Sequence, residues 1–469
     1  MSDTLAKIID SANTALYSYL LIIILVLGGI YFSIRTRFAQ FRLIGQQFRT
    51  VTEKGNGGGV SSFQALVIST ASRVGTGNII GVATALCIGG FGSVFWMWVI
   101  AVIGAASAFV ESTLAQIYKK RGKDGCFGGP AYYIEAATKK KLPAVIFSVF
   151  LILTYGLGFN MLASYNLQAT FSAYSFYDPS VTPWVIGAVI AALVGYCLIG
   201  GGKRIVTVTS FLVPVMGAAY IIAAVAITLL NVTALPGIFK EIFMGAFDLK
   251  AIFGGFGGSC VMQGIKRGLF SNEAGVGSAP NASASAEVSH PVKQGLVQVL
   301  SVFIDTLLVC SATAFLCMTS DVTPPETSAE AASYVQNAFS QTLGAAGPVF
   351  VTAAMILFAF TTLLGNLYYV DKSINYLVGK EPSRLIKNIY YIIASLIILV
   401  GAVLSADLLW GIADIMMAGM TLINMPVIFY LSKYAFRALK DYEGKLKEDK
   451  EISFKKSDIG LTDRTDYWN

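Results

Sequence analysis

The chain has 469 residues, 55% of them hydrophobic and 13% charged, with a mean hydropathy of +0.66. Soluble globular domains carry about 25% charge, so this composition excludes one and indicates a polytopic membrane protein. The formal charge of +7 sits in Lys and Arg between apolar stretches, where it sets orientation and does not point to nucleic acid.

In chain order, Asp3, Lys7 and Asp10 give no positive leader, and the apolar run 15–34 is read as a retained first helix. Ten more spans are expected at 62–89, 92–118, 143–175, 183–200, 206–231, 251–280, 293–319, 345–370, 388–405 and 408–432. The expected organisation is an extra N-terminal helix with a basic loop (1–61), two five-helix units (62–231 and 232–432) and a charged tail (433–469). Arg35, Arg37, Arg42, Arg49 and Lys54 crowd the first loop; Lys119, Lys120, Arg121, Lys123 and Lys139 to Lys141 the third. Lys203 and Arg204 mark the fifth, and Lys372, Lys380, Arg384 and Lys387 the ninth. The loop 320–344 has Asp321, Glu326 and Glu330 but no Lys or Arg. If every span crosses once, the basic loops share one side, which the positive-inside rule makes cytoplasmic. That puts the N-terminus outside and the tail inside the cell membrane. The two five-helix units then begin on opposite faces, the inverted-repeat relation of secondary transporters.

Phe38, Phe41, Phe48 and Val51, interleaved with Arg42 and Arg49, read as an interfacial helix or as an ordinary basic loop. Gly254, Gly255, Gly257, Gly258 and Ser259 thin one side of the seventh span. Tyr334, Val335, Ala338 and Phe339 recur at helical spacing, as in a lid helix or a plain surface helix. The six cysteines show no zinc or disulfide spacing, and His290 is the sole histidine, which excludes a His-rich metal site.

Two spans are interrupted. Ser69 to Ile79 carries Arg73 and the run Gly75-Thr76-Gly77-Asn78; Gly268 to Pro280 carries Asn272, Glu273, Gly275 and Gly277. Irregular backbone at membrane depth survives only where protein or a water-filled cavity satisfies it. A broken helix offers N–H groups on one side and carbonyls on the other, for a carboxylate and a cation respectively. Thr76 and Gly77 are therefore candidates for a substrate carboxylate, and Asn78 supplies a further oxygen. A zwitterionic amino acid fits, its ammonium meeting carbonyls near Phe270 and Asn272. Thr361 and Thr362 offer adjacent hydroxyls for sodium, unless they bond back to their own helix. Arg73, Glu111, Glu273, Asp305 and Asp414 are intramembrane charges, functional by default. Arg73 and Glu273 are placed to pair, Asp305 to shape a cation site or relay a proton, Glu111 to serve an inner gate, and Asp414 to pack or gate.

The chain resembles the alanine or glycine:cation symporter family, of the amino acid–polyamine–organocation superfamily with the LeuT-type fold. The resemblance is densest at Ser72 to Asn78, Glu111-Ser112-Thr113-Leu114, Gly128-Gly129-Pro130-Ala131-Tyr132-Tyr133-Ile134, Gly268 to Asn281 and His290 to Leu296. It implies an all-α membrane protein of eleven helices, one extra plus a five-plus-five inverted repeat whose units each open on a broken helix. It also implies sodium-coupled uptake of a small neutral amino acid, with no organic cofactor and no enzymatic activity. By position, the carbonyls of Ala71 and Val74 and the hydroxyls of Thr361 and Thr362 contact sodium. Val74-Gly75-Thr76-Gly77-Asn78 matches the family's substrate- and sodium-contacting run, and Asn160, Glu273, Gly275 and Asn366 join the substrate set. Two positions depart from the family pattern: Ala163 replaces a glutamine, with Gln168 off the same face, and Asn366 stands where relatives carry tryptophan. Both suggest a pocket that accepts side chains larger than methyl, such as glutamine's. Proton coupling through Asp305 or Glu273 is the alternative. A sensor lacks an output domain here, and a channel would need a continuous polar path.

Overall fold

The computed structural model describes residues 9, 11–53, 59–122, 125–248, 259–379, 382–448, 450–463 and 465–468. Apolar runs in a bilayer must satisfy their own backbone, and helices do so locally. Among the described residues, eight helices are long and apolar enough to cross a membrane, or nine with one bent pair counted as a span. The eight are Gly92–Ile117, Lys141–Ala173, Thr182–Ile199, Gly201–Leu230, Pro291–Met318, Ala346–Val378, Arg384–Gly401 and Ala406–Lys447. The bent pair is Ser62–Arg73 with Gly77–Gly89, turned by 52° at the break.

The remaining expected spans take other forms. The run 15–34 becomes a π-helical turn, Leu16–Leu20, leading into the 15-residue helix Leu21–Arg35. The interrupted stretch 251–280 is described from Ser259 onward: a helix Cys260–Asn272, an irregular turn, and the short helix Pro280–Ser283. The glycines at 254–258 lie outside the described residues.

The two interrupted segments sit at the centre. Ser62–Arg73 packs on Ala346–Val378 and Gly201–Leu230, while Cys260–Asn272 packs on Gly92–Ile117 and Val82–Gly89. Thr182–Ile199 and Arg384–Gly401 pair at the periphery and leave Ile389, Ile392, Ile393 and Leu396 exposed, as a lipid-facing surface requires.

Three connecting segments have defined structure. Ala39–Arg42 and Ile44–Thr52 are helices that bury Gln40, Gln47 and Thr50 and expose Phe38, Phe41, Ile44 and Phe48. Polar residues face the protein and apolar ones face outward, the reverse of a helix in water. Ala331–Leu343 is a helix that buries Tyr334, Val335, Ala338 and Phe339 and reaches the first broken span. The charged stretch after 432 is not a loose tail. Ala435, Ala438, Leu439 and Tyr442 recur at helical spacing and are buried, so the last helix runs on to Lys447. Beyond it the chain folds back, with Asp463 paired to Lys139 at 2.8 Å and Trp468 Nε1 donating to the Gln116 carbonyl at 2.7 Å.

Candidate functional site

The first break lies between Arg73 and Gly77. A helix leaves its last carbonyls unpaired; here Val74 N–H takes the Thr70 carbonyl at 2.7 Å, and the carbonyls just beyond have no next turn to bond. Chain-forming residues at the break are small for a reason. A Cβ on Gly75 would collide with Thr362 Oγ1, and one on Gly77 would stand 2.7 Å from the Phe270 ring. The π-helical turn Gly77–Gly81 restarts the span, and such turns recur at functional sites. Asn78 braces the break: its Oδ1 accepts from Gly75 N–H at 2.7 Å, and its Nδ2 donates to Asp305 Oδ1 at 2.7 Å.

The second break is built differently. Glu273 ends the helix at φ 53°, and Gly275 and Gly277 follow at φ 84° and 90°, a left-handed path that glycine takes without strain. Glu273 is held by hydroxyls: Ser278 Oγ donates to Oε2 at 2.7 Å, and Ser72 Oγ lies 2.8 Å from Oε1. Ser72 thus joins the two breaks. Gly275 is tied on both sides, its N–H to Glu111 Oε1 at 3.3 Å and its carbonyl to Asn424 Nδ2 at 2.9 Å. Asn424 also donates to Glu111 Oε2 at 2.9 Å and accepts from the Tyr133 hydroxyl at 2.6 Å.

The candidate residues therefore divide. Thr76, Gly77, Asn78, Asn160, Phe270, Asn272, Glu273 and Asn366 surround the junction of the breaks, all buried. Asn366 Nδ2 donates to Asn160 Oδ1 at 3.0 Å, and Asn166 Nδ2 donates to Thr76 Oγ1 at 3.2 Å. The Phe270 ring packs between Phe159, at 4.3 Å between centroids, and Trp410, at 4.8 Å. Gly275 lies deeper in the Glu111–Asn424 brace. Asp305 sits in the π-helical segment Phe303–Cys310 and takes Ser271 and Thr306 hydroxyls on Oδ2, each at 2.7 Å.

Three sequence expectations need correction, and Gln168, expected off the substrate face, lies away from the breaks. Thr361 and Thr362 do not converge. Thr362 Oγ1 faces Gly75 and has no hydrogen-bond partner among the described residues. Thr361 Oγ1 bonds back to the Leu357 and Phe358 carbonyls at 2.9 and 3.2 Å, because neighbours on a helix point about 100° apart. Arg73 and Glu273 form no ion pair among the described residues; Arg73 Nη1 donates to Gln298 Oε1 at 2.9 Å, and its Nε and Nη2 find no partner there. Glu111 does not stand apart at an inner gate but braces the second break. Gln168 accepts from Tyr177 at 3.0 Å and lines a separate cavity of about 600 Å³ beside Tyr165, Trp184 and Asp407.

The model of the sodium:alanine symporter family matches residues 2–456. The chain belongs to the sodium:alanine symporter family. It is 40% identical to the amino-acid carrier protein AlsT of Bacillus subtilis over 98% of this chain and 97% of that one. It is 40% identical to the probable sodium/glutamine symporter GlnT of the same organism, over 97% and 94%. The sodium/proton-dependent alanine carrier protein of Bacillus sp. strain PS3 is 36% identical over 87% and 94%. Among solved structures, a Na+-coupled sialic acid symporter in a substrate-bound outward-open state aligns with a TM-score of 0.51. That alignment covers 94% of this chain and 93% of the other at 15% identity, a likeness of fold. The family and these relatives are transporters and not enzymes, and the symporter is a multi-pass membrane protein.

The symporter also uses residues that sequence reasoning passed over. Ser72, Ser271 and Ser278 clamp the two carboxylates, Asn424 and Gln298 anchor the breaks, and Arg267 pairs with Asp414 at 2.8 Å while its guanidinium lies 4.0 Å from the Trp410 ring. Their shared signal was polarity inside apolar spans, which Ser shares with residues that merely bond back to their helix.

Proposed function

We propose that this symporter has eleven spans and carries a small neutral amino acid into the cell with sodium, by alternating access. The reading takes 62–231 and 232–432 as inverted halves, the basic loops as cytoplasmic, and the N-terminus as external. The observation that carries it is the meeting of Gly75 and Thr362, unwound backbone beside an unpartnered hydroxyl, both buried. Sodium is cargo here. Thr362 and the carbonyls of Ala71 and Val74, at the frayed end of the first half-helix, hold it. The substrate carboxylate meets the N–H end of the half-helix that starts at Gly77. Thr76, Asn160, Asn272 and Asn366 orient the rest of the molecule, and Phe270 closes over it with Trp410.

Alanine and glycine are the leading substrates. Buried Ala163 lies on the helix that carries Asn160 and Asn166 and makes room for a longer side chain such as glutamine's. One relative is named for glutamine and another for alanine. The test is uptake of labelled alanine, glycine and glutamine into proteoliposomes under an imposed sodium gradient. Accumulation that needs sodium, and needs more of it in Thr362→Ala, supports the assignment. Accumulation indifferent to sodium sinks it.

A second reading, proton coupling, is favoured by a specific observation. Glu273 and Asp305 are fully buried carboxylates held by hydroxyls and amides, with no ion pair among the described residues. Either is placed to take a proton in addition to the sodium bound elsewhere.

A further inference from the structure

A chain of four buried side chains crosses the site. Glu273 Oε1 lies 2.8 Å from Ser72 Oγ, Ser72 Oγ lies 2.7 Å from Asn366 Oδ1, and Asn366 Nδ2 lies 3.0 Å from Asn160 Oδ1. Their relative exposures run from 0% to 5%, so water does not substitute for a missing partner. The far end, Asn160 Nδ2, has no partner among the described residues.

Counting hydrogens shows why the chain matters. Ser72 has one hydroxyl proton but touches two acceptors, a carboxylate oxygen and an amide oxygen. A hydroxyl donates once. Two arrangements satisfy every link. In one, Glu273 is protonated and donates to Ser72, which donates to Asn366, which donates to Asn160; the free end is then an N–H. In the other, Glu273 is ionised and both amides are turned over. Asn160 then donates to Asn366, which donates to Ser72, which donates to Glu273, and the free end is a carbonyl oxygen. Amide orientation follows the network, so one proton on Glu273 reverses the whole chain.

We infer that Glu273 carries a proton with each transported amino acid, and that Ser72 and Asn366 relay its protonation state to Asn160 at the substrate site. This rests on the reading of the chain as an amino-acid transporter. With Glu273 neutral, Asn160 presents an N–H that suits the substrate's carboxylate or carbonyl oxygens. With Glu273 ionised, it presents a carbonyl oxygen that repels them. The proton comes from the outer solution, forms the O–H bond at Oε1, and leaves to the inner solution after substrate release; no other bond changes. The charged and titratable groups around Glu273 are Arg73, Asp305 and Glu111, with Tyr155 and Tyr369 facing it from two further helices. Tyr369 also approaches Ser72; among the described residues, the hydrogen-bonded path from Glu273 to Asn160 runs through Ser72 and Asn366.

The test uses full-length protein in proteoliposomes with a trapped pH dye, saturating sodium on both sides and a clamped membrane potential. Alanine added outside acidifies the lumen in the wild type. In Glu273→Gln, whatever alanine counterflow remains carries no pH signal. In Asn366→Leu the pH dependence of the alanine KM flattens, although Glu273 is intact. Alanine uptake with no accompanying pH change overturns the inference and leaves the transport reading standing; absence of uptake for every amino acid tried overturns that reading instead. An infrared measurement decides the protonation step without transport. A protonated-carboxyl stretch that titrates in the wild type and is missing in Glu273→Gln supports it, and identical spectra refute it.

Discussion

The two breaks share a sequence device, two glycines separated by one residue (Gly75 and Gly77, Gly275 and Gly277), and use it for opposite ends. The first break is lean. Gly75 and Gly77 clear space in front of Thr362 and Phe270, and one side chain, Asn78, braces it from within. The second is filled. Glu273 folds back onto Ser278, and Gly275 is bonded to Glu111 and Asn424 on its two sides. Unwound backbone at membrane depth must be satisfied by something. On the proposed reading, part of that demand in the first break is left to ligands, and in the second the protein meets it. The first is therefore read as the place where cargo binds, and the second as the frame that holds it open.

The sharpest way to break this contrast is to add one methyl group at each site. Gly75→Ala drives a Cβ into Thr362, and displacing a binding geometry by about 1 Å costs on the order of 100-fold. Uptake in this variant is expected to fall by about that factor while thermal melting stays near wild type. Gly277→Ala instead forces a side chain into φ 90° with the Phe147 ring 2.8 Å away. Its expected effect is a stability loss of about 1–3 kcal/mol, read as a lower melting temperature and less folded protein. Equal losses of uptake and stability in both variants would erase the distinction.

Glu111→Gln sharpens the same point. The amide matches one of the two donors, Gly275 N–H and Asn424 Nδ2, but not both. A buried donor left without a partner costs about 1–3 kcal/mol, so this variant should melt early although both donors lie outside the first break. Next in size comes the hydroxyl pair. Thr362→Ala is expected to raise the sodium concentration needed for half-maximal uptake about tenfold, equivalent to about 1.4 kcal/mol. Thr361→Ala, whose hydroxyl bonds its own helix and the Met216 sulfur, should change it by less than about twofold. Equal shifts in the two variants would restore the two-hydroxyl cage.

These predictions also mark what was legible in the chain. Nine of the expected spans, the bent pair counted as one, and the two interruptions could be read directly, because glycine and charge inside an apolar run are costly and therefore conspicuous. Partner choice could not. Nothing in the spacing says that Arg73 turns to Gln298 and away from Glu273, since both lie at similar depth and the deciding term is packing. Glu111 looked peripheral because sequence gives depth along a helix but not which neighbour approaches it. The stretch after 432 looked like a tail because its charges outnumber its apolar residues, yet four buried positions at helical spacing fix it.

The smallest effect tests the region outside the membrane, where the frame ends. His290 precedes the span Pro291–Met318, caps it by accepting from Val292 N–H at 3.2 Å, and packs on Tyr442 and Phe454. Burial holds its imidazole below the ordinary range, against the pull of Asp441 at 3.1 Å; Lys445 and Lys293 push in the same direction as burial. An unfolded histidine protonates near pH 6.5. Between that value and the lower folded one, the unfolded state binds more protons, so stability rises with pH and is lost on acidification. Above about pH 6.5 the contribution vanishes, because both states are neutral. Melting temperatures should therefore rise from pH 5 to about 6.5 and level off above it in the wild type, and lose that rise in His290→Asn, which keeps a capping oxygen but does not titrate. If the slope survives that substitution, the acid sensitivity belongs to the buried carboxylates of the frame and not to this contact.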